Sequence, residues 1–471
     1  GARWDLPWAN YVPQITAYPN PATCTTIPDP VTTNTTLTTG SCYRLFGFTD
    51  VNAGVTLTIQ PGVVIFGDRD TKGSLIINRD ARINAVGTAA QPIVFTSALA
   101  PGARAGGDWG GIIIAGRAPL NVTGGEAILE GGTNTTYGGG ASPNAADDSG
   151  RMEYVRIEFP GIAFATNNEI NCLTTGAVGS ATIFDYIQCS YSGDDSFEPF
   201  GGTHNMRHFI SFRALDDDLD GDNGWNGNVQ WFLAVRDPAL ADISGSNGIE
   251  HDNNAGGTTV TPRTAPVMSN VTMLGPDTQP GTVNVNYARG AHIRRSSQDA
   301  LYNSVIVGWP TALRIDGATT VADAQSGALT IRYSLFSGTY SSDQAGFDVQ
   351  AWFTGLPGNQ ALANSAAAGF TQVVVAAEPA PPPALAGFAL SVAPNPVVGP
   401  SATLALEVPS AQHVRLAVFD ALGREVAVVA DQDIPAGART FSLDTGLAAG
   451  SYVVRLQTPN GVLARRFTVA R

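Results

Sequence analysis

The acidic residues in the middle of the chain are spaced in a way that suits a cation site. They are Asp194, Asp195, Glu198, Asp216, Asp217, Asp218, Asp220 and Asp222. Asp194, Asp195 and Glu198 each precede another acidic residue by 22 positions. Carboxylates stacked on neighbouring turns of chain repel one another unless a cation or an arginine lies between them. Because calcium prefers oxygen ligands, the spacing predicts a calcium site, and the alternative is a solvated acidic face or a set of turn caps.

The same stretch does not encode an EF-hand. Asp216, Asp218 and Asp220, followed by Gly221, match the first half of that calcium-binding loop. The twelfth position, which supplies a bidentate glutamate in an EF-hand, is Gly227. Any calcium here must therefore be held by another architecture.

Two kinds of polysaccharide chemistry are alternatives for these carboxylates. Residues 193–196 read Gly-Asp-Asp-Ser, which resembles the paired-aspartate motif of polygalacturonase-type β-helix hydrolases. However, residues 171–175 contain no aspartate, and no Gly-His-Gly follows the motif. A lyase instead needs calcium and a strong base, and Lys72, the only lysine, is remote in sequence. The candidate bases are Arg294, Arg295 and His251.

Short alternating runs indicate β-strands without helices between them. Residues 55–59 alternate apolar and polar side chains, Pro61 and Gly62 form a turn, and residues 63–66 are apolar. Similar runs, broken by Gly, Asn or Asp, continue to about residue 355. A repeat in the low twenties is typical of one coil of a three-sided solenoid. The sequence therefore predicts an all-β chain, in which a right-handed parallel β-helix precedes a small antiparallel Ig-like β-sandwich.

Composition divides the chain into four segments. Residues 1–50 are rich in proline and aromatic side chains and are predicted to form an irregular arm or cap. Residues 51–375 hold the β-helix, residues 376–387 are a Pro-rich linker, and residues 388–471 hold the sandwich. A solenoid exposes unpaired backbone groups at both ends. We therefore expect the arm to cap one end and residues 347–370 to cap the other.

Charge and hydropathy indicate an extracellular protein. The formal net charge of −14 argues against nucleic acid and anionic lipid as partners. No apolar run reaches the roughly 20 residues of a membrane-spanning helix. The first five residues read as a mature N-terminus from which a signal peptide was removed.

The cysteines point to an oxidising compartment. Cys24 and Cys42 form one local pair in the sequence, and Cys172 and Cys189 form another. Four cysteines allow three pairings, and the sequence alone does not choose among them. Local pairing is favoured because each bond would close one turn of chain. With no metal-binding Cys or His motif present, structural disulfides are the preferred interpretation.

The C-terminal segment carries the most specific motifs. Pro-Asn-Pro stands at residues 394–396, Asp-Ala-Leu-Gly-Arg-Glu-Val at residues 420–426, and a Gly-x-Tyr strand at residues 450–456. Over residues 388–471 the chain resembles the type A sorting domain of the type IX secretion system of Bacteroidetes-like bacteria. The resemblance implies export by that machinery and then cell-surface attachment or release.

The body of the chain resembles secreted β-helix proteins from the same bacteria. Residues 107–114, 153–159 and 191–198 carry this resemblance, which implies a fold and a location but no activity. The interpretation that the sequence favours is a structural or adhesive extracellular protein without catalysis. Its solenoid ends would pair head to tail in a homo-oligomer or filament. The alternative is a calcium-dependent polysaccharide-active enzyme or a protein that binds an extracellular polysaccharide.

Overall fold

The computed structural model of the protein describes most of the chain. The described residues are 4, 7–165, 168–370, 388–393, 397, 401–420, 425–444, 446–448, 450–459 and 461–469. The predicted linker and the Pro-Asn-Pro motif lie outside these residues, as does part of the second C-terminal motif.

The first of two compact units is a parallel β-helix built from two long sheets. Its 17-stranded sheet consists of β1 (Thr25–Thr26), β2 (Thr35–Leu37), β3 (Cys42–Leu45), β5 (Thr56–Ile59), β6 (Val64–Gly67), β8 (Arg82–Val86), β9 (Ile93–Ser97), β13 (Gly150–Glu158), β17 (Ile183–Ser190), β19 (Asn205–Phe212), β21 (Asn228–Val235), β23 (Val267–Leu274), β25 (Ala300–Tyr302), β26 (Val305–Val307), β28 (Thr330–Arg332), β29 (Leu335–Ser337) and β31 (Gln360–Leu362). Its ten-stranded sheet consists of β4 (Phe48–Val51), β7 (Ser74–Ile77), β10 (Ile112–Ala115), β16 (Leu173–Gly176), β18 (Phe197–Phe200), β20 (Leu219–Gly221), β22 (Ile249–His251), β24 (Arg289–Ile293), β27 (Thr311–Ile315) and β30 (Thr339–Ser341). The predicted fold class is confirmed.

The β-helix begins earlier than the sequence suggested. Strands β1 to β4 lie between Thr25 and Val51, inside the segment predicted to be an irregular arm, and they pair in parallel with β3, β5, β6 and β7. The aromatic residues before them do not cap an end. Trp8 is buried against Tyr154 and Tyr186, and Tyr11 packs on Phe212, so this segment covers the side of the long strands β13, β17 and β19.

The core of the β-helix is an apolar column that repeats from coil to coil. Alternate side chains of a strand point to opposite faces. In the ten-stranded sheet the inward positions are Leu75, Ile112, Leu173, Phe197, Leu219, Ile249, Ala291 and Leu313. Phe197 pairs with Leu219 at the interval of 22 residues that the acidic residues indicated. Because the inward set is apolar, the register places the acidic side chains outside.

The long strands bend at bulky residues with left-handed backbone angles. Tyr154, Tyr186, His208 and Trp231 have φ between 51° and 61°, a region that large side chains rarely adopt. Their rings stack in one ladder, with centroids 4.4, 4.1 and 4.5 Å apart. Stacking of this kind offsets part of the backbone cost, since each aromatic pair contributes about 0.5–1.5 kcal/mol.

The remaining elements of this unit are short. They are the strands β11 (Ala127–Ile128), β12 (Thr136–Tyr137), β14 (Ala163–Ala165) and β15 (Asn168–Glu169), the helices α1 (Ala318–Ser326) and α2 (Val349–Gly355), and 3-10 turns at Pro21–Thr23, Pro276–Thr278 and Ser365–Ala368. Phe353 of α2 packs on Phe336 and Tyr340 of the last coil, as expected for a cap. Among the described residues, no helix is long and apolar enough to cross a membrane.

The second unit contains an antiparallel β-sandwich. One sheet consists of β32 (Ala389–Ala393), β33 (Ser401–Val408) and β36 (Gly437–Asp444), and the other of β34 (Gln412–Asp420), β35 (Glu425–Ile434), β37 (Gly450–Thr458) and β38 (Gly461–Val469). Leu404, Leu416, Val418 and Val454 from both sheets share one buried core. The Gly-x-Tyr motif lies on β37, where the Tyr452 ring stacks on Phe467.

Both disulfides join the nearest cysteines. Cys24 bonds to Cys42, and Cys172 bonds to Cys189 inside the core of the β-helix. The prediction of structural disulfides is confirmed, and the structure selects the local pairing that the sequence left open. A covalent link across 17 or 18 residues stabilises chiefly by restricting the unfolded chain.

Candidate functional site

The outward side chains of the ten-stranded sheet change from apolar to acidic to basic along the β-helix. One outward ladder runs through Ile76, Ile113, Thr174, Glu198, Asp220, Glu250, His292, Arg314 and Ser341. Its three carboxylates lie on successive coils, which places them about 4.8 Å apart along the sheet. We call the carboxylates on this surface the acidic face. It comprises Asp194, Asp195, Glu198, Asp216, Asp217, Asp220 and Glu250.

A second ladder lies in the turns that lead into the same strands. Asp195, Asp217 and Asn247 occupy equivalent positions of three coils. The backbone N–H of Asp217 donates to Asp195 Oδ1 at 2.7 Å, and the N–H of Asn247 donates to Asp217 Oδ1 at 2.5 Å. Each carboxylate therefore holds the next coil in place and keeps its other oxygen on the acidic face.

The structure brings the acidic side chains into three overlapping groups. Within each group one carboxylate oxygen from each residue lies within 4.8 Å of those of the other two. The groups are Asp194–Asp195–Asp216, Asp195–Glu198–Asp220 and Asp217–Asp220–Glu250. Asp195 and Asp220 each belong to two groups, so the acidic face is one continuous set of oxygen ligands.

Burial makes this concentration of charge costly. Desolvation, followed by the neighbouring carboxylates, raises the pKa of Asp195, Glu198, Asp217 and Asp220 well above the usual range. Burial also raises the pKa of Asp216 to about 6. A divalent cation at this surface would replace the lost solvation, and without one the carboxyls retain protons.

The next coil carries the partners that offset this negative charge. His292 Nδ1 lies 3.3 Å from Glu250, and Arg294 contacts both Glu250 and Asp252. Burial opposes ionisation of Glu250, but the hydrogen bond from His292 and the charge of Arg294 outweigh it, so its pKa is lowered. Glu250 therefore keeps its negative charge, whereas burial favours the protonated form of the neighbouring Asp217 and Asp220.

Asn247 presents a buried oxygen with no described partner. Its side-chain N–H groups donate to Glu250 Oε2 at 2.8 Å and to Asp217 Oδ2 at 3.3 Å. Asn247 Oδ1 is buried and accepts no hydrogen bond from any described residue. An unsatisfied buried acceptor costs about 1–3 kcal/mol. The amide of Asn247 presents its N–H groups, and not this oxygen, to Asp217 and Glu250. The ligand set that fits calcium is therefore Asp217, Asp220 and Glu250.

Arg289 occupies the position after Asn247 in the turn ladder. It lies at the start of β24, where its backbone oxygen accepts from Gly248 N–H. Its side chain makes no hydrogen bond or ion pair with a described residue. Burial, and then the charge of Arg314, lower the pKa of Arg289 below that of an ordinary arginine. Arg289, with its lowered pKa and no described side-chain partner, therefore lies one coil beyond the Asp217–Asp220–Glu250 group.

Several residues proposed from the sequence lie elsewhere. Asp218 points into the protein and forms a buried ion pair with Arg236, so it is in none of the three groups. Asp222 accepts from Asn223 N–H and is also outside them, while burial raises its pKa to about 6. His251 is fully buried against Asp299.

The basic residues considered in the sequence analysis all form other contacts. Both Arg294 and Arg295 bind the Asp252 carboxylate. Lys72 donates to the carbonyls of Ala163 and Phe164. The residues that sequence reasoning missed are Asn247, Glu250, Arg289 and His292. Insertions lengthen the coil interval to 30 residues between Asp220 and Glu250 and to 42 between Glu250 and His292, which hides the repeat.

The stability of the calcium-free protein should fall as the pH rises. The pKa values of Asp216 and Asp222 are about 6 in the folded protein, above the roughly 3.9 of an unfolded aspartate. The folded state therefore binds more protons between these values, and the stability due to them is lost as the pH passes 6. We expect the Tm in EDTA to fall from about pH 4.5 to about pH 7, and calcium to restore it at about pH 7.

The double variant Asp216→Asn/Asp222→Asn is the control, because it removes the two groups whose pKa lies near 6. Its Tm in EDTA should depend less on pH. Identical profiles for the wild-type protein with and without calcium would contradict the prediction.

A comparison with known protein families identifies the family of this β-helix. Residues 29–369 match the family described as the pectate-lyase-like β-helix domain. The chain belongs to this family. The match covers the described acidic face and both of its ladders. Among curated protein sequences, none matches the chain.

Two solved structures resemble the pectate-lyase-like chain at low similarity. Full-length tailspike protein 2 from Escherichia coli O157:H7 bacteriophage CAB120 is 11% identical, with 92% of this chain and 65% of that chain covered and a TM-score of 0.26. The enzymatically active domain of tailspike protein 2 of bacteriophage CBA120 is 12% identical, with 92% and 72% covered and a TM-score of 0.22. This chain spans less than two thirds of the full-length tailspike. At these scores neither structure bears on the function.

Proposed function

We propose that the protein is an extracellular, calcium-dependent lyase that cleaves uronate-containing polysaccharides at its acidic face. The observation that supports this most directly is the juxtaposition of the Asp217–Asp220–Glu250 group with Arg289, which no described residue pairs. The family to which the β-helix belongs is named for lyases of this substrate class. This function develops the polysaccharide-active alternative that the sequence left open, and the structural or adhesive role stays a prediction.

Asp217, Asp220 and Glu250 are the residues that would hold the calcium. When bound, calcium withdraws charge from a substrate carboxylate and so acidifies the carbon beside it. His292 and Arg294 keep Glu250 ionised, which preserves it as a ligand at neutral pH.

Arg289 is the residue to which we assign the base. Burial and the neighbouring guanidinium of Arg314 disfavour its protonated form, which is the direction a base requires. For the elimination Arg289 must react in its neutral form: it takes the proton from C5 of the uronate, and the electrons of that C–H bond form the C4–C5 double bond. The C4–O4 bond breaks, and the leaving O4 takes a proton from water. No oxidant or co-substrate is needed.

Hydrolysis by a pair of carboxylates fits this site less well. A retaining glycosidase separates its two carboxyl groups by about 5–5.5 Å, and an inverting one by about 6.5–9.5 Å. In each group one oxygen from every carboxyl converges within 4.8 Å of the others, and burial keeps several carboxyls protonated without a cation. The arrangement matches a metal site better than an acid and a base on opposite sides of a sugar.

Ultraviolet absorbance of the unsaturated product tests the proposal. We expect polygalacturonate or alginate to yield this absorbance in the presence of calcium and to yield none after chelation with EGTA. Dermatan and chondroitin chains extend the panel to other uronates. Reducing ends that appear without the absorbance would indicate hydrolysis instead. No cleavage of any uronate polymer in calcium would count against both chemistries.

The location of the protein is a separate proposal. Residues 388–471 resemble a type A sorting domain. The two disulfides and the net negative charge are consistent with an extracellular location. We expect a chain lacking residues 388–471 to stay in the periplasm of a host with type IX secretion, while the full chain reaches the surface or medium. Equal export of both chains would contradict this. Adhesion and head-to-tail filaments stay predictions.

A further inference from the structure

The left-handed positions at the bend of the 17-stranded sheet form a ladder of their own. Strand register places one member on each successive coil, and every member has a φ between 51° and 73°. The members are Tyr154, Tyr186, His208, Trp231, Asn270, Asn303, Tyr333 and Gly358. The run of stacked rings therefore ends at Trp231, two asparagines follow, and a single ring returns at Tyr333.

Tyr333 is the ring of this ladder whose conformation the fold does not compensate. Asparagine tolerates left-handed backbone angles, but a bulky side chain rarely adopts them. Tyr333 stacks on no described aromatic ring and is 58% exposed. Its ring lies over Gly358 of the next coil, where a Cβ would overlap it, so its free face points back toward Asn303. Residues held in rare backbone conformations concentrate at ligand sites, which makes Tyr333 a candidate binding residue.

Trp231 and Tyr333 form the two walls of a notch, and Asn270 and Asn303 form its floor. Neighbouring coils are about 4.8 Å apart, so the walls are about 14 Å apart along the β-helix. Because asparagine side chains are shorter than the two rings, the outer parts of the rings face each other across the notch. His208 covers one face of Trp231, so the other face of Trp231 is directed into the notch.

The floor of the notch carries hydrogen-bonding groups and no charge. The side chains of Asn270 and Asn303 form no hydrogen bond with a described residue, and Asn303 is exposed. Amides donate and accept hydrogen bonds, as sugar hydroxyls do. The outward residues on either side of Asn270 are Ser269 and Thr272, which are also uncharged. A ligand with hydroxyls and apolar C–H faces matches this lining better than an ionic ligand does.

We propose that the notch binds a neutral oligosaccharide at a site separate from the acidic face. Sugar units pack their C–H faces on Tyr333 and Trp231, and their hydroxyls exchange hydrogen bonds with the amides of Asn270 and Asn303. Arg332 lies at the rim, beside Tyr333. The inference goes beyond the proposed function, because calcium takes no part in this binding and no bond of the sugar is broken. It adds a means of attachment to uncharged polysaccharide.

Calorimetry of the full chain in EGTA, with hexasaccharides of xylan, mannan and β-glucan, tests the notch. Tyr333→Asn removes one wall and introduces the residue that tolerates this backbone angle, so we expect about tenfold weaker binding with an equal or higher Tm. Asn303→Gly keeps the backbone angle but removes an amide from the floor, and should weaken binding about fivefold. Ile128→Asn, at an exposed position of β11 outside the 17-stranded sheet, should bind like the wild type.

The outcomes are separate from those for the acidic face, because the binding is measured without calcium. Absence of binding by every neutral hexasaccharide overturns the proposal, as does unchanged binding in both Tyr333→Asn and Asn303→Gly. A polyproline peptide that binds in place of the sugars would assign the notch to a peptide ligand. Tighter binding of a galacturonate hexasaccharide would overturn the assignment of a neutral ligand. Calcium-dependent cleavage of polygalacturonate should be unchanged in Tyr333→Asn, and its loss would overturn the separation of the two sites.

Discussion

Replacing Arg289 with glutamine should abolish most of the lyase activity while leaving the fold intact. Glutamine removes the guanidinium of Arg289. Among the described residues near the third carboxylate group, this is the basic side chain that has a lowered pKa and forms no ion pair. Loss of a positioned base costs about 100- to 10,000-fold in rate. The measurement is kcat for formation of the unsaturated product, together with the calcium affinity and the Tm of the variant.

The pattern of parameters distinguishes a base from a structural residue. Because Arg289 makes no described hydrogen bond or ion pair, we expect the Tm and the calcium affinity of Arg289→Gln to match the wild type. Arg332→Gln, a change of the same type at an exposed position of the 17-stranded sheet, is the matched control and should keep full activity. Retention of more than a third of the wild-type kcat by Arg289→Gln would remove this residue from the mechanism.

Replacing Arg236 with methionine should destabilise the protein more than any surface substitution. Arg236 and Asp218 are both fully buried, and their Nη1 and Oδ1 atoms are 3.0 Å apart. Burial raises the pKa of Asp218 although the charge of Arg236 opposes that shift. Removing the arginine leaves a buried carboxyl that must take up a proton or remain uncompensated. The expected loss is about 3–5 kcal/mol, measured by urea unfolding.

A second substitution tests whether the loss arises from the unpaired charge. The double variant Arg236→Met/Asp218→Leu replaces the whole ion pair with apolar side chains, and such replacements are often neutral or stabilising. We expect it to recover most of the stability lost in Arg236→Met. Arg332→Met, at an exposed position, should change the stability by less than about 0.5 kcal/mol. If the double variant is as unstable as the single one, packing rather than charge explains the loss.

The repeat of 22 residues also shows why Asp218 and its neighbours behave differently. Asp216, Asp217 and Asp218 lie in the turn before β20 (Leu219–Gly221), so the path of that turn, and not the alternation of a strand, sets the direction of each side chain. Asp217 and Asp220 face the acidic surface, whereas Asp218 turns inward to Arg236. The sequence grouped the three together because spacing alone does not state which face each side chain occupies.

The sequence by itself determined the architecture and the first half of the site. The alternating apolar runs indicate a parallel coil, and the interval of 22 residues predicts that Asp195 and Asp217 are in register on neighbouring coils. The structure has that register. The local pairing of the cysteines was favoured for the same reason, since residues one turn apart become neighbours. These features depend on short-range regularity, which a linear pattern records.

Tertiary structure alone decided the other half of the site. Glu250, His292 and Arg289 reach the acidic face only after insertions that change the coil length, and a periodic pattern is lost across such insertions. Burial, which decides the protonation of Asp195 and leaves Asn247 Oδ1 without a described partner, depends on how neighbouring coils cover one another. The carboxylates could be read from their spacing. Their partners, and therefore the chemistry, depend on contacts between coils.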